Sequence, residues 1–123
     1  MILSDGMRGR LRAAADAKAD RRLAATLRAR DAEAVAHLDD AALAAEIGHA
    51  RAVADHLGIA GADLRARFIE LGVARLPRFW EDPDLWRMLT ATPGTPDVRF
   101  GDVLGLIRVA ARRAGKADGM GGA

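Results

Sequence analysis

The chain has 123 residues, 50% of them apolar and 29% charged, which is the composition of a folded globular domain rather than of a disordered chain. It contains no Cys, which excludes disulfides, thiolate zinc sites and cysteine nucleophiles. Its 19 Lys and Arg face 17 Asp and Glu, and a net charge of +2 gives the whole molecule no strong basic field. We therefore expect one domain with one core.

The N-terminal sequence "MILSDGMRGR" has three apolar residues before Ser4 and lacks the apolar core of a signal peptide. No later segment reaches the roughly 18 uninterrupted apolar residues that cross a bilayer. With the absence of Cys, these features predict a cytoplasmic protein that does not enter a membrane.

The first helix is predicted from about residue 7 to residue 30, with a break near Asp31. Strands are disfavoured because β-branched and aromatic residues are sparse and no window alternates apolar with polar residues. The apolar stripe begins only at Leu23 and Leu27, which leaves the first three turns polar.

Charge is distributed unevenly between the first two segments. Residues 8–30 carry eight cations and two acids, a net +6, whereas residues 31–64 carry one cation and seven acids, a net −6. The two segments are therefore expected to attract each other. We interpret the basic segment as a solvated helix face, and a nucleic-acid surface is the alternative.

The second helix has the clearest periodicity in the chain. Its apolar positions step by four and three residues along one face: Leu43, Ile47, Ala50, Ala54 and Leu57. Asp39 or Asp40 is expected to cap its start and Gly58 its end. His49 and His56 lie far from the apolar face, so both are expected to be solvated and neither to bind a metal.

The third helix, about residues 62–75, is predicted to be the most buried element. It carries two apolar sides, one with Leu64, Phe68 and Leu71 and the other with Ile69, Val73 and Leu76. Only a narrow sector around Arg67 and Glu70 remains for water.

Two later helices have matching entrances. Each has an N-cap residue, a proline at the first helical position and an acid at the next: Asp82, Pro83 and Asp84, then Thr95, Pro96 and Asp97. The acids are expected to face the positive end of the helix dipole.

The last helix is predicted over about residues 96–114, ending at Gly115, with a disordered tail at 116–123. Its predicted buried residues are Phe100, Val103, Leu104, Ile107 and Ala111. Gly101 and Gly105 lie beside this stripe. We favour the interpretation that the helix simply tolerates these two glycines in a glycine-rich chain. The alternative is that they allow another backbone to approach the helix closely.

The stretch "LPRFWEDPDLWRML" contains three of the five aromatic side chains. Phe79 is assigned to the core, because Pro77 turns the chain back over the third helix. Trp and Arg dominate binding hot spots, and two Trp are more than a short turn requires. The predicted partner-binding residues are therefore Trp80 and Trp86, with the flanking Arg78 and Arg87.

Catalytic patterns are absent from the sequence. Ser4 is the only serine, and no glycine pattern matches a phosphate loop. His37 has Glu33 one turn before it, which we interpret as an ordinary helix-surface pair with no functional role. Glu81 with Asp82 or Asp84 gives an alternative carboxylate pair for a small hydrolase, but helix capping accounts for the two aspartates. We expect no enzyme activity, no cofactor and no metal.

Residues 23–90, with "LDDAALAAEIGHARAVADHLGIAGADLRARFIELG" followed by "FWEDPDLWRML", resemble a group of small helical proteins encoded beside type VI secretion components and effectors. The matching positions are Leu43, Ile47, Gly58, Ile59, Phe68, Ile69, Leu71, Phe79, Asp82, Pro83, Leu85 and Trp86. Leu57 stands where the group has an aromatic, and the last helix is longer than in the group. The resemblance implies an accessory role beside an effector and assigns no catalytic residue.

The sequence thus predicts an all-α, single-domain bundle of four to five helices with short loops, covering residues 1–115, and a flexible tail at 116–123. The predicted function is a non-enzymatic protein-interaction module, an adaptor or chaperone of a secreted effector. The alternative is a nucleic-acid-associated protein that binds through the basic helix at 8–30. A homodimer is a further arrangement that the apolar surface permits.

Overall fold

The fold consists entirely of helices in the part of the chain that the structure describes. The computed structural model describes the backbone of residues 4–121 and the side chains of residues 4–114. Its six α-helices are α1 (Asp5–Arg30), α2 (Ala32–Val35), α3 (Asp40–Leu57), α4 (Ala62–Glu70), α5 (Pro83–Ala91) and α6 (Pro96–Gly121). A π-helical turn at Leu71–Arg75 continues α4, and a 3₁₀ turn spans Phe79–Glu81. The predicted all-α class with a single core is confirmed.

The helix count exceeds the four to five expected because the first segment breaks. Asp31 separates α1 from the short α2, at the predicted position. Arg28 holds this corner, because its guanidinium donates to the carbonyl oxygens of Val35 at 2.9 Å and Leu38 at 2.8 Å. It also pairs with Asp40 at 3.1 Å. One arginine therefore fixes the turn that carries α1 into α3.

The predicted face and both ends of α3 are confirmed. Asp39 caps the helix, its carboxylate accepting the backbone N–H of Ala42 at 2.7 Å. Gly58 ends it in the left-handed conformation at φ 80°. The buried residues of α3 are four of the five expected, namely Leu43, Ile47, Ala50 and Ala54, while Leu57 is half-buried.

Helix α3 packs against α1, with ion pairs that cross between them. The lone cation of the acidic segment, Arg51, contacts Asp16 at 3.5 Å and Asp20 at 2.6 Å. These contacts use the minority charges of the two segments, whereas the Arg28–Asp40 pair joins a cation of the basic segment to an acid of the acidic one. Both acids of the basic run at 8–30 are thus paired with Arg51.

Helix α4 and its π turn form the centre of the core, as the sequence predicted. Both contact α3, and α4 also contacts α1 and α6. Phe68 is fully buried, with ring centroids 5.0 Å from Phe79, 5.1 Å from Phe100 and 5.5 Å from Trp80. Four of the five aromatic side chains thus form one cluster around Phe68, and aromatic contacts of this kind add to the stabilisation from burial.

The position of Leu76 differs from the prediction. A regular helix would place Leu76 on the side of Ile69 and Val73, but its side chain is 41% exposed. At the π turn the Leu76 N–H donates to the Leu71 carbonyl five residues earlier, at 2.8 Å. This wider turn shifts the register of the residues that follow, which rotates Leu76 away from the core.

The entrances of α5 and α6 have the predicted caps. Asp82 accepts the N–H groups of Asp84 at 2.9 Å and Leu85 at 3.1 Å, and Thr95 accepts that of Val98 at 3.2 Å.

Asp97 has a contact that was not predicted. Its carboxylate accepts the N–H groups of Ala60 at 2.8 Å and Gly61 at 3.0 Å, which ties the start of α6 to the start of α4.

Helix α6 differs from the prediction on one side and at its end. Phe100 and Val103 are buried as expected, but Leu104 and Ile107 are only half-buried and Ala111 is exposed. The helix continues past the predicted end at Gly115 to Gly121. The predicted tail at 116–123 lies outside the residues whose side chains are described.

Gly72 provides the space in which Trp80 is buried. A Cβ atom at position 72 would collide with Cζ3 of the Trp80 ring, and would lie 3.1 Å from Cη2 and 3.2 Å from Cε3. Both residues are buried, so the indole has no free volume into which to move. The absence of a side chain at Gly72 is therefore a requirement of the core.

We predict that Gly72→Ala lowers the free energy of unfolding by about 1 to 3 kcal/mol, because the methyl group overpacks the Trp80 site. The control is Gly105→Ala, since no atom lies within 4 Å of a Cβ there and the exchange adds helix propensity. Chemical denaturation followed by circular dichroism measures both. Equal effects of the two substitutions would contradict the assignment.

Candidate protein-binding surface

The expectation that Trp80 contacts a partner is wrong. Its side chain is 6% exposed and stacks on Phe68 with an interplanar angle of 12°. The rings of Phe79 and His49 meet it edge-on at 5.5 Å each. The short turn at 79–81 directs Trp80 onto the π turn, where Gly72 leaves room for it, so Trp80 is a core residue.

Arg78 is held by an ion pair within the chain. Its guanidinium donates to Glu46 through Nη2 at 2.8 Å and Nε at 3.3 Å, the two-pronged geometry that carboxylates favour. Arg78 is the only non-glycine residue with positive φ, 53°, in the described chain. The hydrogen bond from Arg78 holds the pKa of Glu46 below its ordinary value. Arg78 therefore joins the loop after α4 to α3.

Trp86 and Arg87 remain at the surface. Trp86 is half-buried and stacks on His56, with ring centroids 6.2 Å apart and an interplanar angle of 9°. The Arg87 side chain is 70% exposed and lies 3.5 Å from Asp84. His49 and His56 are exposed, as expected, but the imidazole of His49 also contacts Trp80 and that of His56 contacts Trp86. The four predicted binding residues thus do not form one surface.

The three acids considered for hydrolysis have local structural contacts. Asp82 is an N-cap, Asp84 lies beside Arg87, and Glu81 lies 3.5 Å from Arg78. Among the described residues, no three side chains of His, Asp or Glu come together as ligands for a metal ion. Within the same part of the chain, no helix combines the length and apolar character needed to cross a membrane.

The surface that sequence reasoning missed is a groove between the π turn and α6, which we call the α4–α6 groove. It is open to solvent and has a volume of about 520 Å³. Its floor is apolar, formed by Leu71, Leu76, Leu104, Ile107 and Ala111. The register shift at the π turn creates it, because Leu76 turns toward α6 instead of into the core.

The rim of the α4–α6 groove is predominantly cationic. Arg67, Arg75 and Arg108 line it and are exposed, whereas Glu70 is its one acid and is half-buried. None of the three arginines takes part in an ion pair among the described side chains. The groove therefore combines a leucine-rich floor with three cations that have no partner within residues 4–114.

A second open groove, with a volume of about 660 Å³, lies between α1 and α3. Its floor consists mainly of alanines, and its rim carries Asp20 and Asp40 as well as Arg21 and Arg28. Arg28 and both acids are already engaged in ion pairs. The two grooves have similar apolar lining, but the rim of this one is balanced and largely engaged in ion pairs, whereas the rim arginines of the α4–α6 groove are not, so the α4–α6 groove is the stronger candidate for binding.

Comparison with protein-family models, with curated proteins and with solved structures gave no match to this chain.

The ion pair of Glu46 predicts a pH dependence of stability. Because the folded-state pKa lies below the ordinary value of 4.5, the stabilisation is fully present above pH 4.5 and is lost as the pH falls through the folded-state pKa. Glu46→Gln is therefore expected to lower stability at about pH 7 and to lower it less at about pH 3.

Denaturant midpoints at the two pH values measure this difference. The same substitution in an Arg78→Gln background is the control, because it has no ion pair to lose. A loss of stability that is equal at both pH values, or that persists in this background, would contradict the assignment to Arg78.

Proposed function

We propose that this protein is a helical module that binds another protein in the α4–α6 groove. The observation that supports the proposal is a set of apolar side chains between two helices that stay partly open to solvent, with Leu104 and Ile107 half-buried and Leu76 41% exposed. Binding a helix in a groove between two others uses the same packing as a helical core. Complete burial of an exposed leucine-sized side chain is worth about 1.5 to 3 kcal/mol, and each partly exposed floor residue gains a fraction of that value.

The groove is better suited to a protein than to a small substrate. It is open to solvent, its floor has no polar side chain, and its charges lie at the rim. Small-molecule sites are concave and include convergent polar groups that orient the ligand. An apolar floor with a charged rim is instead the pattern of a protein interface.

The sequence resemblance suggests the setting of this interaction. We propose that the protein acts in the bacterial cytoplasm as an adaptor or chaperone of an effector or a component of type VI secretion. This part of the proposal rests on the resemblance over residues 23–90 alone.

A second candidate function is nucleic-acid binding by α1. Every residue from Ser4 to Ala15 is exposed, so the first turns of α1 have no packing partner in the described chain. Two of its three acids, Asp16 and Asp20, are paired with Arg51, and with Asp5 as the third acid the remaining charge is still strongly positive. The exposed cations are Arg8, Arg10, Arg12, Lys18, Arg21, Arg22 and Arg30. Such a row of cations suits a phosphate backbone.

Site-specific photo-crosslinking in native cells tests the protein-binding proposal. Benzoylphenylalanine at position 104 replaces a floor residue, whereas the same residue at position 98 lies on the exposed face of α6. We expect a covalent adduct with a discrete protein at 104 and none at 98, with circular dichroism showing that both variants are folded.

Leu76→Asp in the position-104 variant is expected to remove the adduct, because it places a charge in the groove floor. Trp86→Ala and Arg87→Ala are expected to leave it unchanged. Adducts that are equal at 98 and 104, or absent at 104, would overturn the proposal.

Salt dependence tests the second candidate. If α1 contacts several phosphates, the affinity for duplex or single-stranded DNA falls at least tenfold between about 50 and 200 mM salt. Arg10→Glu with Arg12→Glu is expected to abolish that binding, and Arg75→Glu with Arg108→Glu is the control away from α1. No binding at low salt would exclude this function.

A further inference from the structure

The shape of the α4–α6 groove determines what kind of segment fills it. Its lining residues on α6, positions 104, 107, 108 and 111, follow the i, i+3, i+4, i+7 spacing of one helix face over two turns. The opposite wall is the end of α4 and the π turn. A groove between two helices with an apolar floor accepts a third helix through its apolar stripe.

The rim arginines determine the charge of that helix. Several arginines elsewhere in the fold have structural contacts: Arg65 and Arg99 donate to the carbonyl oxygens of Ile59 at 3.0 Å and Thr92 at 2.7 Å. Arg67, Arg75 and Arg108 have no such bond among the described residues. Three cations against one half-buried acid favour carboxylates on the flanks of the incoming helix.

The same charges argue against a second copy of the chain as the occupant. Two segments of a second copy carry exposed apolar residues at helical spacing: the start of α1, with Met7 and Leu11, and α6, with Leu106 and Val109. Exposed arginines accompany both segments and would face the rim arginines, namely Arg8, Arg10 and Arg12 on α1 and Arg112 and Arg113 on α6. Like charges across an interface are repulsive, so a foreign acidic segment fits better.

We propose that the α4–α6 groove binds an acidic amphipathic helix of a partner protein. Its Leu-type side chains at i, i+3, i+4 and i+7 fill the floor, and its Glu or Asp flanks pair with Arg67, Arg75 and Arg108. This assignment rests on the proposed function, because it names the class of partner for the same groove.

Three synthetic peptides test the assignment. Each is about 18 residues long, enough to form a helix, and has Leu at the same stripe positions. The flanking positions carry Glu in the first peptide, Gln in the second and Lys in the third. Fluorescence anisotropy with the full chain measures the dissociation constants at about 50 and 200 mM salt.

We expect the Glu peptide to bind about tenfold more tightly than the Gln peptide at low salt, because three exposed ion pairs of ordinary strength together provide about that gain in affinity. The advantage is expected to shrink at the higher salt concentration, since exposed charges are screened. The Lys peptide is expected to bind more weakly than either.

Charge reversal at the rim is the decisive variant. Arg75→Glu with Arg108→Glu is expected to reverse the preference in favour of the Lys peptide, and both sites are exposed, so the fold is retained. The matched control, Arg10→Glu with Arg12→Glu on α1, changes the net charge equally and is expected to keep the preference for the Glu peptide.

The outcomes separate this inference from the proposed function. Equal binding of the Glu and Gln peptides, both lost in Leu76→Asp, would overturn the acidic preference and leave the groove as a helix-binding site. No binding of the Glu peptide would overturn this inference whatever the crosslinking at position 104 shows. Displacement of the Glu peptide by single-stranded DNA would also overturn it, in favour of a nucleic-acid ligand.

Discussion

The contact of Trp80 with Gly72 is the constraint on which the rest of the structure depends. The indole is large and buried, and it stacks on Phe68 only because the facing residue has no side chain. This contact holds the turn at 79–81 against the end of α4, and Phe68 connects it to Phe100 of α6. One cluster of rings therefore joins α4, the 3₁₀ turn at 79–81 and α6 in a chain that has few aromatic side chains.

The π turn connects this core to the surface. Its wider backbone brings Gly72 under Trp80 and rotates Leu76 outward, so the same turn that closes the core opens the α4–α6 groove. π turns are energetically costly and recur at functional sites. Here the cost is offset by the burial of Trp80, and the exposed leucine is its consequence.

The arginines of this protein divide into those that make structural contacts within the fold and those that remain free at the surface. A count of charges in the sequence does not show this division. Arg28, Arg51, Arg65, Arg78 and Arg99 hold corners, helix pairs and loops through carbonyl oxygens and carboxylates. The free arginines concentrate at the start of α1 and around the α4–α6 groove. A nearly neutral molecule therefore presents two distinct cationic surfaces, and each of the two proposed functions uses one of them.

Local chemistry by itself determined the helices, their caps and most of the core. Asp39, Gly58, Asp82 and Thr95 mark helix ends through bonds to near neighbours in the chain, and the face of α3 follows from spacing alone. Only the tertiary structure determined whether Trp80, Leu76 and Arg78 are buried, exposed or held in an ion pair. The environment of each of these residues depends either on a contact with a residue distant in the sequence or on the shift in helical register at the π turn. Neither a distant contact nor a register shift leaves a periodic pattern in the sequence. The candidate site was missed because it is formed by that shift.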